Sequence, residues 1–301
     1  MGDRDDHKLS NDCEHQSCHY GRGSAGARPS SEVGNLATSR WGHETGVAAT
    51  TGMTAYDQVA TRTAEEAHVR TVLAAGNRHS VLRREDGTVI ATGNNQAGEC
   101  DVLPWSDVIA VAAGSVHTAR NTGKSHTVGL RADGTALATG WSDAGQTAVT
   151  QWREITAIAA GWRTTVGLRA DGSVVATGRT AEGQCDVQLW SGIVAIACGD
   201  WHTVAVRRDG TALATGNNQR GQTDVARWTH VSGVFAGYLH TVGLHEDGTV
   251  VAVSDDSRGQ CDVQSWTGIT AIAAGARHSL GLRATTPSSN AMSTPGPLDH
   301  R

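Results

Sequence analysis

A 38-residue phrase recurs through most of this chain and constrains its fold more than any single residue does. Two adjacent copies run from Gly161 to Gly199 and from Gly199 to Gly237. The Asp-Gly glycines Gly134, Gly172, Gly210 and Gly248 are 38 apart, whereas Gly87 to Gly134 spans 47, so one unit carries 9 extra residues. Trp105, Trp152, Trp190, Trp228 and Trp266 keep the same register. A fixed period of this length means an array of equivalent supersecondary units. What the units share builds the array, so function is sought where they differ.

Each unit reads as punctuated β-strands. His202-Thr203-Val204-Ala205-Val206-Arg207 and Thr211-Ala212-Leu213-Ala214-Thr215-Gly216 flank Asp209-Gly210, a pair that tolerates the positive φ of a hairpin turn. Gln222-Thr223-Asp224-Val225 is short enough for an edge strand, and a small-residue run such as Ala157-Ile158-Ala159-Ala160-Gly161 closes each unit. Three clear strands and a short one predict an all-β chain of four-stranded β-propeller blades. Ala and Gly suit the innermost strand, where blades converge on the axis, and one Trp per unit suits the wedge between blades.

Small-residue strands end at Gly76, Gly114, Gly161, Gly199, Gly237 and Gly275, which predicts six blades. The Thr-Val-Val-Ala-Thr-Gly type occurs five times after residue 70, with a sixth candidate upstream at 46–51. Pairing of 46–51 with 278–283 would close the ring and remove its sheet edges. Seven blades is the alternative if part of 1–43 folds. The expected organisation is a polar tail over 1–43, a propeller over 44–284 and a disordered end over 285–301. The tail shows no signal-peptide core and nothing of membrane-spanning length, so a cytoplasmic chain is expected, or a secreted one if a leader lies upstream of Met1.

A net charge of −5 gives no general attraction to nucleic acid. Cys100, Cys185 and Cys261 share one repeat position with Thr147 and Thr223, which fits small, reduced, partly buried side chains rather than disulfides. Cys13, His15, Cys18 and His19 have zinc-ligand chemistry, but their spacing matches no closed two-pair motif, and no metal is assigned. Gly123-Lys124-Ser125 lacks the earlier glycine of a phosphate loop, since position 118 is Thr118. His79, His126, His202, His240 and His278 recur once per unit with Thr164 in the sixth place, which predicts a structural hydrogen bond to the local backbone. Asp133, Asp171, Asp209 and Asp247 read as turn formers. No catalytic arrangement and no cofactor site emerges.

The loop after the inner-strand glycine departs from the repeat. It carries Trp162-Arg163, Asp200-Trp201 and Tyr238-Leu239 in three successive units and Ser115-Val116 in an earlier one. Trp141 occupies a second loop, where other units have Asn94, Arg179 and Asn217. If both loops open on one face, Trp141, Trp162, Trp201 and Tyr238 form an arc, with Arg163 and Val116 beside it, of the residue types that dominate protein interfaces. Local lids over each blade are the competing reading. The insertion 115–123 breaks the symmetry and adds a candidate contact.

The phrase Gly-x-x-His-Thr-Val-Gly-Leu-Arg-Ala-Asp-Gly-Thr, with Ala-Thr-Gly-x-Asn-x-x-Gly-Gln, resembles the regulator of chromosome condensation repeat family across residues 69–284. The resemblance implies a β-propeller used as an interaction platform. The family's eukaryotic founders are guanine-nucleotide exchange factors for a small Ras-like GTPase and bind chromatin. Here the repeats are shorter and the N-terminal segment is not basic. Bacterial members are similar in repeat length, and some of them are secreted β-lactamase inhibitors that use aromatic loop residues on one face. The resulting expectation is a non-catalytic, monomeric propeller that presents the aromatic face to a protein partner, and not to nucleic acid or membrane. A hydrolase inhibitor and an exchange factor remain the alternatives.

Overall fold

The computed structural model describes residues 72–283 apart from 77, 115–123 and 255, all within the compact unit Gly52–Arg301. Val116, the remainder of the 115–123 insertion, the tail cluster Cys13/His15/Cys18/His19, the strand expected at 46–51 and the end over 285–301 lie outside the described residues.

The described chain is a β-propeller of repeated antiparallel sheets with no helix. The first three sheets are β1 (Leu73–Ala75), β2 (His79–Arg83) and β3 (Val89–Gly93); β4 (Val108–Ala113), β5 (His126–Arg131) and β6 (Ala136–Gly140); and β7 (Ile155–Ala160), β8 (Thr164–Arg169) and β9 (Val174–Gly178). Next come β10 (Ile193–Cys198), β11 (His202–Arg207) and β12 (Ala212–Gly216), then β13 (Val231–Ala236), β14 (His240–His245) and β15 (Val250–Ser254). The last described sheet has two strands, β16 (Ile269–Ala274) and β17 (Ser279–Arg283). Among the described residues β17 pairs with β16 alone.

The Asp-Gly turns are hairpins, as their composition predicts. Thr203 faces Thr215 and Val204 faces Ala214 across β11 and β12. Asp209 Oδ1 accepts from the Thr211 amide at 2.9 Å and from the Thr211 hydroxyl at 2.6 Å. Asp86, Asp133 and Asp247 repeat both bonds.

Each complete sheet has three strands, which corrects the four-stranded expectation. Gln222–Val225 runs as tandem turns: the Asp224 amide donates to Gly221 O at 3.1 Å and the Trp228 amide to Val225 O at 2.9 Å. A segment that spends its amides on its own nearby carbonyls has none left for a ladder. Gln222 is completely buried, and its Oε1 accepts the Arg220 amide at 2.9 Å. Gln146, Gln184 and Gln260 bind the corresponding amides, and the carboxylate of Glu99 binds that of Ala97. The turn is therefore built around a buried side-chain oxygen.

The small-residue strands β1, β4, β7, β10, β13 and β16 lie beside one another in chain order. Their terminal glycines touch: a Cβ on Gly76 would stand 2.8 Å from Gly114 O, and one on Gly114 2.9 Å from Gly161 O. The convergence that favours small residues is thus direct backbone-on-backbone contact. Trp152 packs where a Cβ on Gly167 would come within 2.8 Å of its Cζ3, and Trp105 and Trp228 meet Gly129 and Gly243 in the same way. These three indoles are buried; Trp190, whose unit has Ala205 at the corresponding strand position, is only half-buried.

The repeated histidines bond across the seam between sheets, not to local backbone as their repetition suggests. His79 Nε2 lies 2.9 Å from Thr127 Oγ1 of the next unit, His126 Nε2 2.9 Å from Thr165 Oγ1, and His202 Nε2 2.8 Å from Thr241 Oγ1. Each threonine hydroxyl donates in turn to a turn carbonyl, as Thr165 does to Gln146 O at 2.7 Å. The hydroxyl must then accept from the imidazole, so Nε2 carries the proton. Burial pushes the His126 and His202 imidazoles down to about 3, and they are neutral.

Candidate functional site

Two loops meet on one face because consecutive backbone bonds hold them together. The Arg179 amide donates to Arg163 O at 2.8 Å and the Asn217 amide to Trp201 O at 2.9 Å. Gly216 makes this approach possible: its φ is +110°, and a Cβ there would stand 2.5 Å from Trp201 O. The two loops are therefore neighbours, and they bring Trp141, Trp162 and Trp201 together, with Tyr238 beside Trp201.

Arg163 organises it. Its guanidinium carbon lies 4.3 Å from the Trp141 ring centre and 4.1 Å from that of Trp162. Trp162 meets Trp201 edge-on, with centroids 4.3 Å apart at 60°. Arg179 lies over the same pair, 5.8 Å from the Trp162 ring centre and 5.5 Å from that of Trp201. The result is a continuous stack from Trp141 through Arg163 and Trp162 to Trp201, stabilised by cation–π contacts.

The four rings divide into two kinds. Trp141 and Trp162 are only 7% and 8% exposed, and their Nε1 atoms have no hydrogen-bond partner among the described residues. Trp201 and Tyr238 are half-buried and line a cavity of about 400 Å³ together with Glu182, Asn217, Arg220 and Leu239. The first pair packs much as a lid would, and the second pair faces an open concavity.

The two arginines differ sharply. Arg179 grips Glu182 with two bonds, Nε to Oε2 at 2.7 Å and Nη2 to Oε1 at 2.6 Å, and Gln184 Nε2 adds a bond to Oε2 at 3.0 Å. These bonds raise the Arg179 pKa, and Arg179 is the first cause holding the Glu182 carboxyl below its ordinary range. The Arg163 guanidinium makes no hydrogen bond or ion pair among the described residues, and its Nε is buried without a partner. Burial, followed by repulsion from Arg179, lowers its pKa.

The cysteines take structural roles. Cys100 and Cys185 donate their thiols to the carbonyls of Asn94 at 3.3 Å and Arg179 at 3.1 Å, a bond a threonine hydroxyl can also supply. Burial pushes Cys185 up to about 11 and Cys198 up to about 12, far from thiolate chemistry at neutral pH. No group of three or more potential metal ligands occurs among the described residues. Sequence reasoning identified the aromatic residues but missed the Arg179–Glu182 clamp, whose spacing of three within a loop resembles any surface charge pair.

The family model for the regulator of chromosome condensation (RCC1) repeat matches residues 71–99, 155–184, 193–222 and 231–260. No curated protein sequence matches. Solved structures with this fold include human WBSCR16, 17% identical over 71% of each chain with a TM-score of 0.55. They also include Prp20p from Saccharomyces cerevisiae, 15% identical over 70% of this chain and 69% of that one, with a TM-score of 0.55. The CRINKLY WD40 ectodomain of the Arabidopsis thaliana receptor kinase ACR4 is 17% identical over 70% of this chain and 76% of its own, with a TM-score of 0.56. At these identities the likeness is one of fold.

Proposed function

We propose that this chain, which belongs to the regulator of chromosome condensation (RCC1) repeat family, is a non-catalytic propeller that binds a protein partner through its aromatic face. The observation that carries this reading is the half-buried pair Trp201 and Tyr238 beside the 400 Å³ concavity, backed by the Trp141–Arg163–Trp162 stack. Large rings held rigid by packing give contact area at little entropic cost, and Trp, Tyr and Arg dominate interface energetics. Val116 and the rest of the 115–123 insertion, which lie outside the described residues, also count as contact residues in this reading. Among the structural neighbours, yeast Prp20p is described by its binding to Gsp1p and histones, which supports a propeller surface as a platform for proteins.

The same reading includes six blades, closed by pairing of 46–51 with β17. What supports it is that Leu280 and Leu282 of β17 are 59% and 65% exposed where Val204 and Val206 of β11 are buried. An added strand would cover that edge.

The test is capture from cytoplasmic and secreted extracts of the source organism, with wild type beside a Trp201→Ala/Tyr238→Ala variant. A protein retained by wild type and lost by the variant supports the reading, and a hydrolase or a small GTPase among such proteins would select the inhibitor or exchange-factor version. Identical captures contradict it.

A further inference from the structure

We propose that Arg163 is the receptor for a carboxylate, the side chain of an Asp or Glu on the partner protein, with an adjacent apolar side chain of the same segment entering the Trp201/Tyr238 concavity. This deepens the protein-binding reading and rests on it.

The Arg163 guanidinium has no charge partner among the described residues. Arg163 is stacked between two buried indoles, 4.3 and 4.1 Å from their centres. A guanidinium tolerates such a place because it is planar and weakly hydrated, and its faces accept aromatic rings while its edge keeps its N–H donors. That edge has no acceptor among the described residues. Arg163 itself is half-exposed, so a partner carboxylate would replace the water on its accessible N–H donors with a fixed, charge-assisted pair.

The acids nearby do not supply it. Both oxygens of Glu182 are held by Arg179 at 2.6 and 2.7 Å, and Gln184 takes a further position. Asp143 is exposed and has no bond to Arg163. The 115–123 insertion contains no Asp or Glu at all. No described acid pairs with Arg163, and its half-exposed guanidinium is open to a carboxylate from another molecule.

The geometry selects its chemistry. A guanidinium fixed by its two faces presents a planar fork, and a carboxylate fills that fork with two parallel bonds. The stack continues from Trp162 to Trp201 and so to the concavity with Tyr238 and Leu239, so an apolar group a residue or two from the acid meets those rings. Exposed Arg220 on the rim adds positive potential. The chain's net charge of −5 argues against a polyanion.

The test uses the full chain and a displayed library of random peptides, selected on wild type and counter-screened on three variants. Arg163→Gln removes the charge, and Arg163→Lys keeps it but not the fork. Trp201→Ala/Tyr238→Ala empties the concavity. Thermal melting confirms that each variant is folded. The expected result is enrichment of Asp or Glu beside a large apolar residue, with affinity falling at least about tenfold in Arg163→Gln, by less in Arg163→Lys, and also in the double variant. Peptides that bind Arg163→Gln as well as wild type, but lose affinity for the Trp201/Tyr238 variant, overturn the carboxylate proposal and leave the binding face standing. Peptides indifferent to all three variants overturn both. A selection that yields no clone sensitive to Arg163→Gln also counts against the proposal.

Discussion

His126 Nε2 lies 2.9 Å from Thr165 Oγ1 across the seam between the second and third sheets, and neither atom touches water. The bond links positions 39 apart in sequence. Repeated at His79–Thr127, His202–Thr241 and, with a serine, His240–Ser279, it couples neighbouring blades at every described seam but the one after the third sheet. Replacing His126 by Ala removes a large buried side chain and its bond, with an expected loss of about 2–4 kcal/mol. Denaturant unfolding with an unchanged m-value would check it.

One seam is built differently. Thr164 stands where the other units have histidine, and Cys198 stands where they have alanine, its sulfur 3.9 Å from Thr203 Oγ1. The smaller residue on one strand is offset by the larger one on the next. Thr164→His alone should overpack this seam and cost about 1–3 kcal/mol. Adding Cys198→Ala should recover most of that loss. Strongly non-additive melting temperatures in the double-mutant cycle are the expected signature.

The neutral histidines set an acid limit. His126 and His202 are held near 3 by burial, below the ordinary 6.5, so the unfolded chain takes up protons that the folded chain refuses. Stability is therefore full above about pH 6.5 and falls on acidification toward pH 3, by up to about 1.4 kcal/mol per pH unit for each such histidine. The turn aspartates, lowered chiefly by side-chain hydrogen bonds such as that from Thr135 to Asp133, act in the same direction, but only below the ordinary carboxylate range. Urea midpoints between pH 7 and 4.5 isolate the histidine part, and His202→Gln should flatten that slope.

Ser254 is out of place. The equivalent residues of the other complete sheets are glycines, and Ser254 keeps their positive φ, at +114°, while its hydroxyl bonds to Leu239 O. Ser254→Gly should relieve backbone strain and stabilise the fold by about 1 kcal/mol, less the value of the lost bond. Thermal melting gives the sign directly.

Much of this fold was legible because the 38-residue period repeats every signal. Asp-Gly marked the hairpins, and Ala-Ile-Ala-Ala-Gly marked the strand of closest approach. Two features were not legible. Gln222–Val225 has strand-like length, and nothing local reveals that a buried Gln222 oxygen turns the chain back on itself. The histidine bond joins units, so one repeat read alone assigns it to its own backbone. At the site, the sequence singled out Trp141, Trp162, Trp201 and Tyr238 but gave no means of separating them. The separation comes from Arg163, which covers the first two rings and leaves the others beside the concavity.

The most direct test of the central claim is the affinity of a captured partner for Trp201→Ala/Tyr238→Ala, measured beside Leu189→Ala and alongside each variant's melting temperature. Leu189 is 94% exposed and lies outside the stack, so it serves as the control. The account predicts a loss of at least about a hundredfold for the double variant, as expected of central interface aromatics, with little change in melting and none in binding for Leu189→Ala. Unchanged affinity in the double variant, or a loss that merely follows unfolding, would contradict it.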